Sequence, residues 1–158
     1  MPLTKQLQEE FENRLIVYDT GIQRIARNIL RKVVESYLAR ETMTVSILHS
    51  VKTLALEMWQ AMAEGDWFNL GLLLDRHWEL SKRLHPQITN SRVDAVLRLT
   101  KPYLSGAKLS GAGGGGFLIL LAKDPDAADT IRRKLEDRSG LWTHDLRIST
   151  GGLSVKVK

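Results

Sequence analysis

Lys108, Ser110 and the run Gly111-Ala112-Gly113-Gly114-Gly115-Gly116 bring a cation, a hydroxyl and a cluster of glycines into one short stretch. Glycine lets the backbone take positive φ and lets a ligand come close to the chain. Successive N–H groups in such a turn converge into an anion-binding nest. The chemistry on offer is therefore phosphate binding: amides from the loop, a hydroxyl from Ser110, a charge from Lys108. Two plainer readings stand beside it. Lys108 equally suits a solvated edge-strand lysine, and most glycine runs are flexible linkers. Linkers are polar on both sides. Here six apolar residues, Phe117-Leu118-Ile119-Leu120-Leu121-Ala122, follow at once and read as a buried strand. That favours a structured loop.

Other chemistries fit less well. A Walker loop needs Lys then Ser/Thr after its last glycine, and Phe117 stands there. A dinucleotide fingerprint needs a helix opening directly after the glycines. Ser110 lacks the GxSxG setting of a nucleophile. His49, His77, His85 and His144 are scattered without metal-ligand spacing, so no metal ligands are assigned. Phosphoryl transfer also needs a magnesium ligand and a group that handles the acceptor hydroxyl. No carboxylate stands out for either role, so no catalytic residue is assigned and the stretch reads as half of an active site.

The elements that must position this loop follow from periodicity. Residues 4–14 read as a short helix or an extended lead-in. Leu15-Ile16-Val17-Tyr18 reads as a strand, broken by Asp19-Thr20-Gly21. Ile22–Arg40 carries an apolar face of Ile22, Ile25, Ala26, Ile29, Leu30, Val33, Val34, Tyr37 and Leu38. A second helix runs from Thr42 to about Glu64, with Val45, Leu48, Val51, Lys52, Leu54, Ala55, Met58, Trp59 and Met62 as a mostly apolar stripe. Gly65 stops it, and Asp66 caps a third helix to about Leu84 that buries Phe68, Leu70, Leu73, Leu74, Trp78 and Leu80. Pro86 ends that helix. Thr89-Asn90 caps a fourth, Ser91–Thr100, with Val93, Val96 and Leu97 inward. Lys101–Ser105 reads as a connector, and Lys108-Leu109 as a short strand before the loop. After the strand at 117–122 come a helix at about 126–137, a strand Trp142–Ile148, a turn at Thr150-Gly151-Gly152, and an alternating strand Leu153–Lys158. This is an α+β pattern: a small antiparallel sheet covered by several helices, with no internal domain boundary.

Composition narrows the class. At 158 residues, 43% hydrophobic and 26% charged, the chain suits one soluble domain with a real core. It has no cysteine, which removes disulfides and thiolate chemistry. The first residues are polar and include acids, unlike a signal peptide, so the cytoplasm is the expected compartment and no membrane partner is expected. A net charge of +5 suits an anionic ligand, nucleotide or nucleic acid.

The segment Gly106-Ala107-Lys108-Leu109-Ser110-Gly111-Ala112-Gly113-Gly114-Gly115-Gly116-Phe117 resembles the third motif, GAxxSGAGGGG, of the GHMP small-molecule kinases. Tyr18-Asp19-Thr20-Gly21-Ile22-Gln23-Arg24-Ile25-Ala26-Arg27-Asn28-Ile29-Leu30 resembles the YTGxxRxAxxIL segment of the L-fucokinase and D-glycero-D-manno-heptose 7-phosphate kinase branch, with Asp19 where an aromatic residue is common. Leu84–Asn90 is also similar to that branch. The family's other phosphate loop, PxxxGLGSSA, and its catalytic Asp and Lys belong to an N-terminal domain and are absent here. The resemblance therefore implies a single C-terminal domain over 1–158 with a ferredoxin-like core. It implies ATP and Mg²⁺ in the complete enzyme, an N-terminal kinase domain as partner, and an anomeric sugar hydroxyl as acceptor. Lys108, Ser110, Gly111, Ala112, Gly113, Gly114, Gly115 and Gly116 would hold the nucleotide phosphates. Thr20, Gly21 and Arg24 would lie on the sugar side.

Two functions are carried forward. One is half of a sugar kinase, inactive alone, whose exposed partner surface favours self-association as a homodimer. The other is a stand-alone binding or regulatory domain that meets nucleic acid or a protein through Arg24, Arg27, Arg31 and Lys32. No aromatic residues interleave with that basic face, as a single-strand binder requires.

Overall fold

The computed structural model describes residues 3–22, 26–136, 143–144 and 146–149. Helix α1 (Lys5–Arg14) leads directly into strand β1 (Leu15–Asp19). Four helices follow: α2 (Ala26–Leu38), α3 (Thr42–Glu64), α4 (Trp67–Leu84) and α5 (Ser91–Thr100). Then come the hairpin β2 (Leu104–Leu109) and β3 (Phe117–Ala122), helix α6 (Pro125–Glu136), and the short strand β4 (Thr143–His144).

The strands order as β2-β3-β1-β4, with every described neighbour antiparallel. This is the split β-α-β order of a ferredoxin-like core, so the α+β class expected from the sequence holds. The four helices α2–α5 replace the single crossover helix of the minimal motif. The pleat divides the sheet's side chains. Ile16, Leu118, Leu120 and Leu109 pack with Val93, Val96, Ile131 and Leu135 on one side. Leu121 packs with Leu54, Leu70, Leu73 and Leu74 on the other.

Local signals set several boundaries. Gly65 takes a left-handed conformation (φ 70°) and ends α3. Asp66 then accepts the Asn69 N–H at 3.0 Å and starts α4. Asn90 Oδ1 accepts from Arg92 and Val93, each at 3.1 Å, and starts α5.

Elsewhere the structure corrects the reading from periodicity. Ile22 lies outside helix α2, which is described over Ala26–Leu38, and its carbonyl is committed to the glycine loop. Only Ile29 of its apolar face is fully buried among the described residues; Leu30, Val34, Tyr37 and Leu38 are exposed. In α3 the burial shifts to Thr44, Ile47, Leu54 and Ala61, leaving Trp59 exposed. In α4, Phe68 is 69% exposed and Trp67 is buried instead, donating its indole N–H to Glu10 Oε2 at 3.1 Å. Residues 104–105 are strand rather than connector. Among the described residues of the strand expected at Trp142–Ile148, Thr143–His144 pair. The Ile148 N–H goes to Glu12 Oε1 at 2.7 Å, a side-chain acceptor, rather than into the ladder. Trp142, the turn at 150–152 and the strand expected at 153–158 lie outside the described residues.

Helix α4 positions the site. It lies along the outer edge of β2, where an uncovered strand would offer unpaired N–H groups. Asp75 Oδ1 accepts the Ala107 N–H at 2.8 Å, and Oδ2 takes Lys101 Nζ at 2.9 Å. The contact is close because glycine meets glycine. A Cβ on Gly106 would sit 1.9 Å from the Gly71 carbonyl oxygen, and one on Gly71 would sit 2.4 Å from the Ser105 carbonyl carbon. The β2–β3 register shifts at this point, between Leu104 and Gly106. Asp75→Ala is expected to cost about 1–3 kcal/mol by stranding the Ala107 N–H. Asp75→Asn, which keeps Oδ1, is expected to cost less. Urea denaturation of both variants checks the order.

Candidate functional site

The glycines form the tip of the β2–β3 hairpin, closed where the Ser110 N–H donates to the Phe117 carbonyl at 2.8 Å. Two other segments clamp the loop. On one side the Thr20 N–H donates to Gly116 O at 2.9 Å, and the Gly116 N–H donates to Ile22 O at 3.1 Å. On the other the Gly114 N–H donates to Ile88 O at 2.8 Å, while Asn90 Nδ2 donates to Gly114 O at 3.1 Å. Gly113 has φ 91°, and a Cβ there would lie 2.9 Å from Ile88 Cα, so only glycine fits. The loop is therefore a built turn rather than a linker. The amides of Gly111, Ala112 and Gly115 make no hydrogen bond among the described residues.

The expected site residues are partly brought together. Thr20 and Gly21 abut the loop. Thr20 is fully buried and its Oγ1 accepts the Ile22 N–H at 3.4 Å, so it seats the turn from below. Gly21 is exposed, its N–H donating to Asp19 Oδ1 at 2.8 Å. Ser110 is exposed at the loop entrance. Arg24 lies outside the described residues. Of the basic stripe on α2, Arg31 and Lys32 both face the Glu35 carboxylate, at 3.7 and 3.4 Å.

Lys108 is half-buried on β2 opposite Ile119 and makes no hydrogen bond or ion pair among the described residues. Burial pulls its ammonium below the ordinary lysine value. Beside it, His77 of α4 is pushed down to about 4, first by burial and then by the Lys108 charge. The imidazole is therefore neutral at pH 7. Between pH 6.5 and about 4 the unfolded chain takes up a proton there that the folded chain refuses, so stability falls as pH falls through that window. His77→Gln is expected to flatten this part of the stability profile; thermal melts from pH 7 to pH 4 check it. Among the described residues no three His, Asp or Glu side chains gather as metal ligands. No helix among them is long and apolar enough to cross a membrane.

Sequence reasoning missed the clamp. Asn90 was legible as a helix cap, but its second bond, across to Gly114, joins residues far apart in the chain. Asn90→Ala is expected to lose the cap, about 1 kcal/mol, and to free the loop. Asn90→Asp keeps the cap acceptor and loses the Nδ2 donor. Equal melting temperatures for wild type and Asn90→Asp, with faster amide exchange at Gly114–Gly116 in the variant, would separate the two roles.

A ferredoxin-like sheet, a helix along its edge and a clamped glycine turn at one hairpin tip define a domain that presents backbone amides from a fixed loop. The chain belongs to the GHMP kinases C-terminal family, whose model matches residues 58–140. It is 38% identical over 85% of its length to a bifunctional fucokinase/GDP-fucose pyrophosphorylase of Arabidopsis thaliana, of which it spans 13%. It is 27% identical over 93% of its length to a D-glycero-alpha-D-manno-heptose 7-phosphate kinase of Campylobacter jejuni, of which it spans 42%. Among solved structures, L. major mevalonate kinase in complex with R-mevalonate superposes with a TM-score of 0.71 at 22% identity, over 82% of this chain and 40% of that one. That last likeness bears on the fold alone.

Proposed function

We propose that this chain is the single C-terminal domain of a cytoplasmic, ATP-dependent sugar kinase that phosphorylates an anomeric hydroxyl. The acceptor is L-fucose or D-glycero-D-manno-heptose 7-phosphate. The observation that carries the reading is the clamped loop, whose Gly111, Ala112 and Gly115 amides are left for an anion. Lys108, Ser110 and Gly111–Gly116 hold the region of the transferred phosphate. Aimed amides stabilise developing charge without reorganising at the moment of reaction. Thr20 seats the loop, and Gly21 and Arg24 lie on the sugar side. The N-terminal kinase domain supplies the second phosphate loop, the Mg²⁺ ligands and the group that handles the acceptor proton. Exposed Leu30, Val34, Tyr37 and Leu38 on α2 then belong to a contact surface, toward that domain or a second copy.

The test is ATP consumption with magnesium, offering each sugar separately to this chain alone and to the kinase that contains it. The chain alone is expected to be inactive and the complete kinase active with one sugar. Turnover by the chain alone would contradict the divided site. No turnover by the complete kinase with either sugar would overturn the function.

A further inference from the structure

A cavity of about 420 Å³ lies between α4 and α5 against the edge of β2, and no residue of the glycine loop lines it. Trp78, Leu97 and Leu104 give it an apolar wall. Three cations, Lys82, Arg98 and Lys101, and three carboxylates, Asp75, Glu79 and Asp94, make the charged lining neutral overall. Four of these six are matched. Lys101 Nζ lies 2.9 Å from Asp75 Oδ2, and Lys82 Nζ lies 2.7 Å from Glu79 Oε1. Asp94 and Arg98 are left. They stand four residues apart on α5, the spacing at which acid and base pair across one helical turn. Among the described residues they do not pair. Asp94 Oδ1 accepts the Thr89 hydroxyl at 2.6 Å instead, and exposed Arg98 makes no hydrogen bond or ion pair.

We propose that this cavity is a second ligand site, and that it takes a free α-amino acid with an apolar side chain. The inference goes beyond the kinase reading and does not rest on it. The ligand's carboxylate meets the Arg98 guanidinium, whose fork suits a carboxylate. Its ammonium meets Asp94, and its side chain lies along Trp78, Leu97 and Leu104. Residues four apart on a helix are separated by about 6 Å along the axis. That is room for a molecule whose two charges sit on one carbon, with a hydrogen bond at each end. A zwitterion answers both open charges and keeps the cavity neutral. A lone anion such as phosphate leaves Asp94 uncompensated and adds a like charge beside it, and a lone amine does the same to Arg98. A neutral sugar answers neither. The site also touches the loop's supports. Thr89, which holds Asp94, lies between Ile88 and Asn90, the two residues that bind Gly114. Trp78 is shared with a smaller cavity lined by Gly111, Ala112 and Gly113. A ligand that ties Asp94 to Arg98 therefore steadies the clamp on the loop.

The experiment titrates L-leucine into this chain and follows amide and indole NMR shifts, with a thermal melt of every variant. Saturable shifts are expected at Thr89, Asp94, Arg98 and the Trp78 indole. 3-Methylbutylamine, which lacks the carboxylate, and 4-methylpentanoate, which lacks the ammonium, are each expected to bind about tenfold more weakly or worse, because each leaves one charge-assisted hydrogen bond unmade. Glycine is expected to lose about as much through the missing apolar side chain. Arg98→Gln, at an exposed position, and Asp94→Asn, which keeps an acceptor for Thr89, are each expected to weaken leucine binding about tenfold. Amide exchange at Gly114 is expected to slow when leucine is bound. No saturable shift at these residues would overturn the site, as would unchanged leucine affinity in folded Arg98→Gln. The amine or the acid binding as well as leucine would overturn the zwitterion. Inorganic phosphate or L-fucose 1-phosphate shifting the same residues at lower concentration than leucine would overturn it in favour of an anion. Unchanged exchange at Gly114 with leucine bound would overturn the link to the loop.

Discussion

Gly106→Ala is expected to destabilise the domain by about 3 kcal/mol or more, at or beyond the upper end of what overpacking usually costs. The added methyl would sit 1.9 Å from the Gly71 carbonyl oxygen, and both partners are backbone. No rotamer change relieves it, so α4 must move off the β2 edge. That movement would break the Asp75–Ala107 bond and loosen Leu70, Leu73 and Leu74 from Leu121. Gly71→Ala is expected to do similar damage from the other side, although alanine is the better helix former by about 1 kcal/mol at an unconstrained position. The pair is measured by denaturant unfolding. A Gly71→Ala variant as stable as wild type would mean that helix and strand do not approach as closely as described.

Gly113→Ala is expected to reduce kcat/KM of the complete kinase by about a hundredfold or more, while costing less stability than Gly106→Ala. Displacing a positioned group by about 1 Å can cost that much in rate. Gly113 sits at φ 91°, and its Cβ would meet Ile88 at 2.9 Å, so the turn must lift away from Ile88 and take the Gly114 bond with it. Gly113 is buried in the clamp against Ile88 and is not part of the sheet's hydrophobic core, so the loss is expected to be more one of aim than of fold. Steady-state kinetics beside a thermal melt separates the two. Full activity in a folded Gly113→Ala enzyme would remove the loop from the transferred phosphate.

The elements visible in the sequence were those whose causes are local. Gly65-Asp66 makes a left-handed stop and a cap within two residues. Asn90 starts α5 through bonds to the next turn, and the apolar run at 117–122 forms a strand buried along most of its length, with Phe117 exposed at its start. Family membership was legible for the same reason, because the loop and the Tyr18–Leu30 segment each carry their pattern in one continuous stretch. The apolar stripe of α2 was equally visible, but periodicity states which residues share a face, not whether anything covers it. Among the described residues only Ile29 of that stripe is fully buried.

What the tertiary structure alone decided depends on contacts between distant segments. Strand β2 starts at Leu104 because β3 pairs with it and α4 seals its edge, neither of which Lys101–Ser105 announces. Phe68 and Trp67 exchange places because Trp67 finds Glu10 on α1. The glycines themselves determined that a turn could form. Its one conformation comes from Thr20 and Ile22 on one side and Ile88 and Asn90 on the other. A glycine run is free to take many shapes, so only the groups that close around it select one.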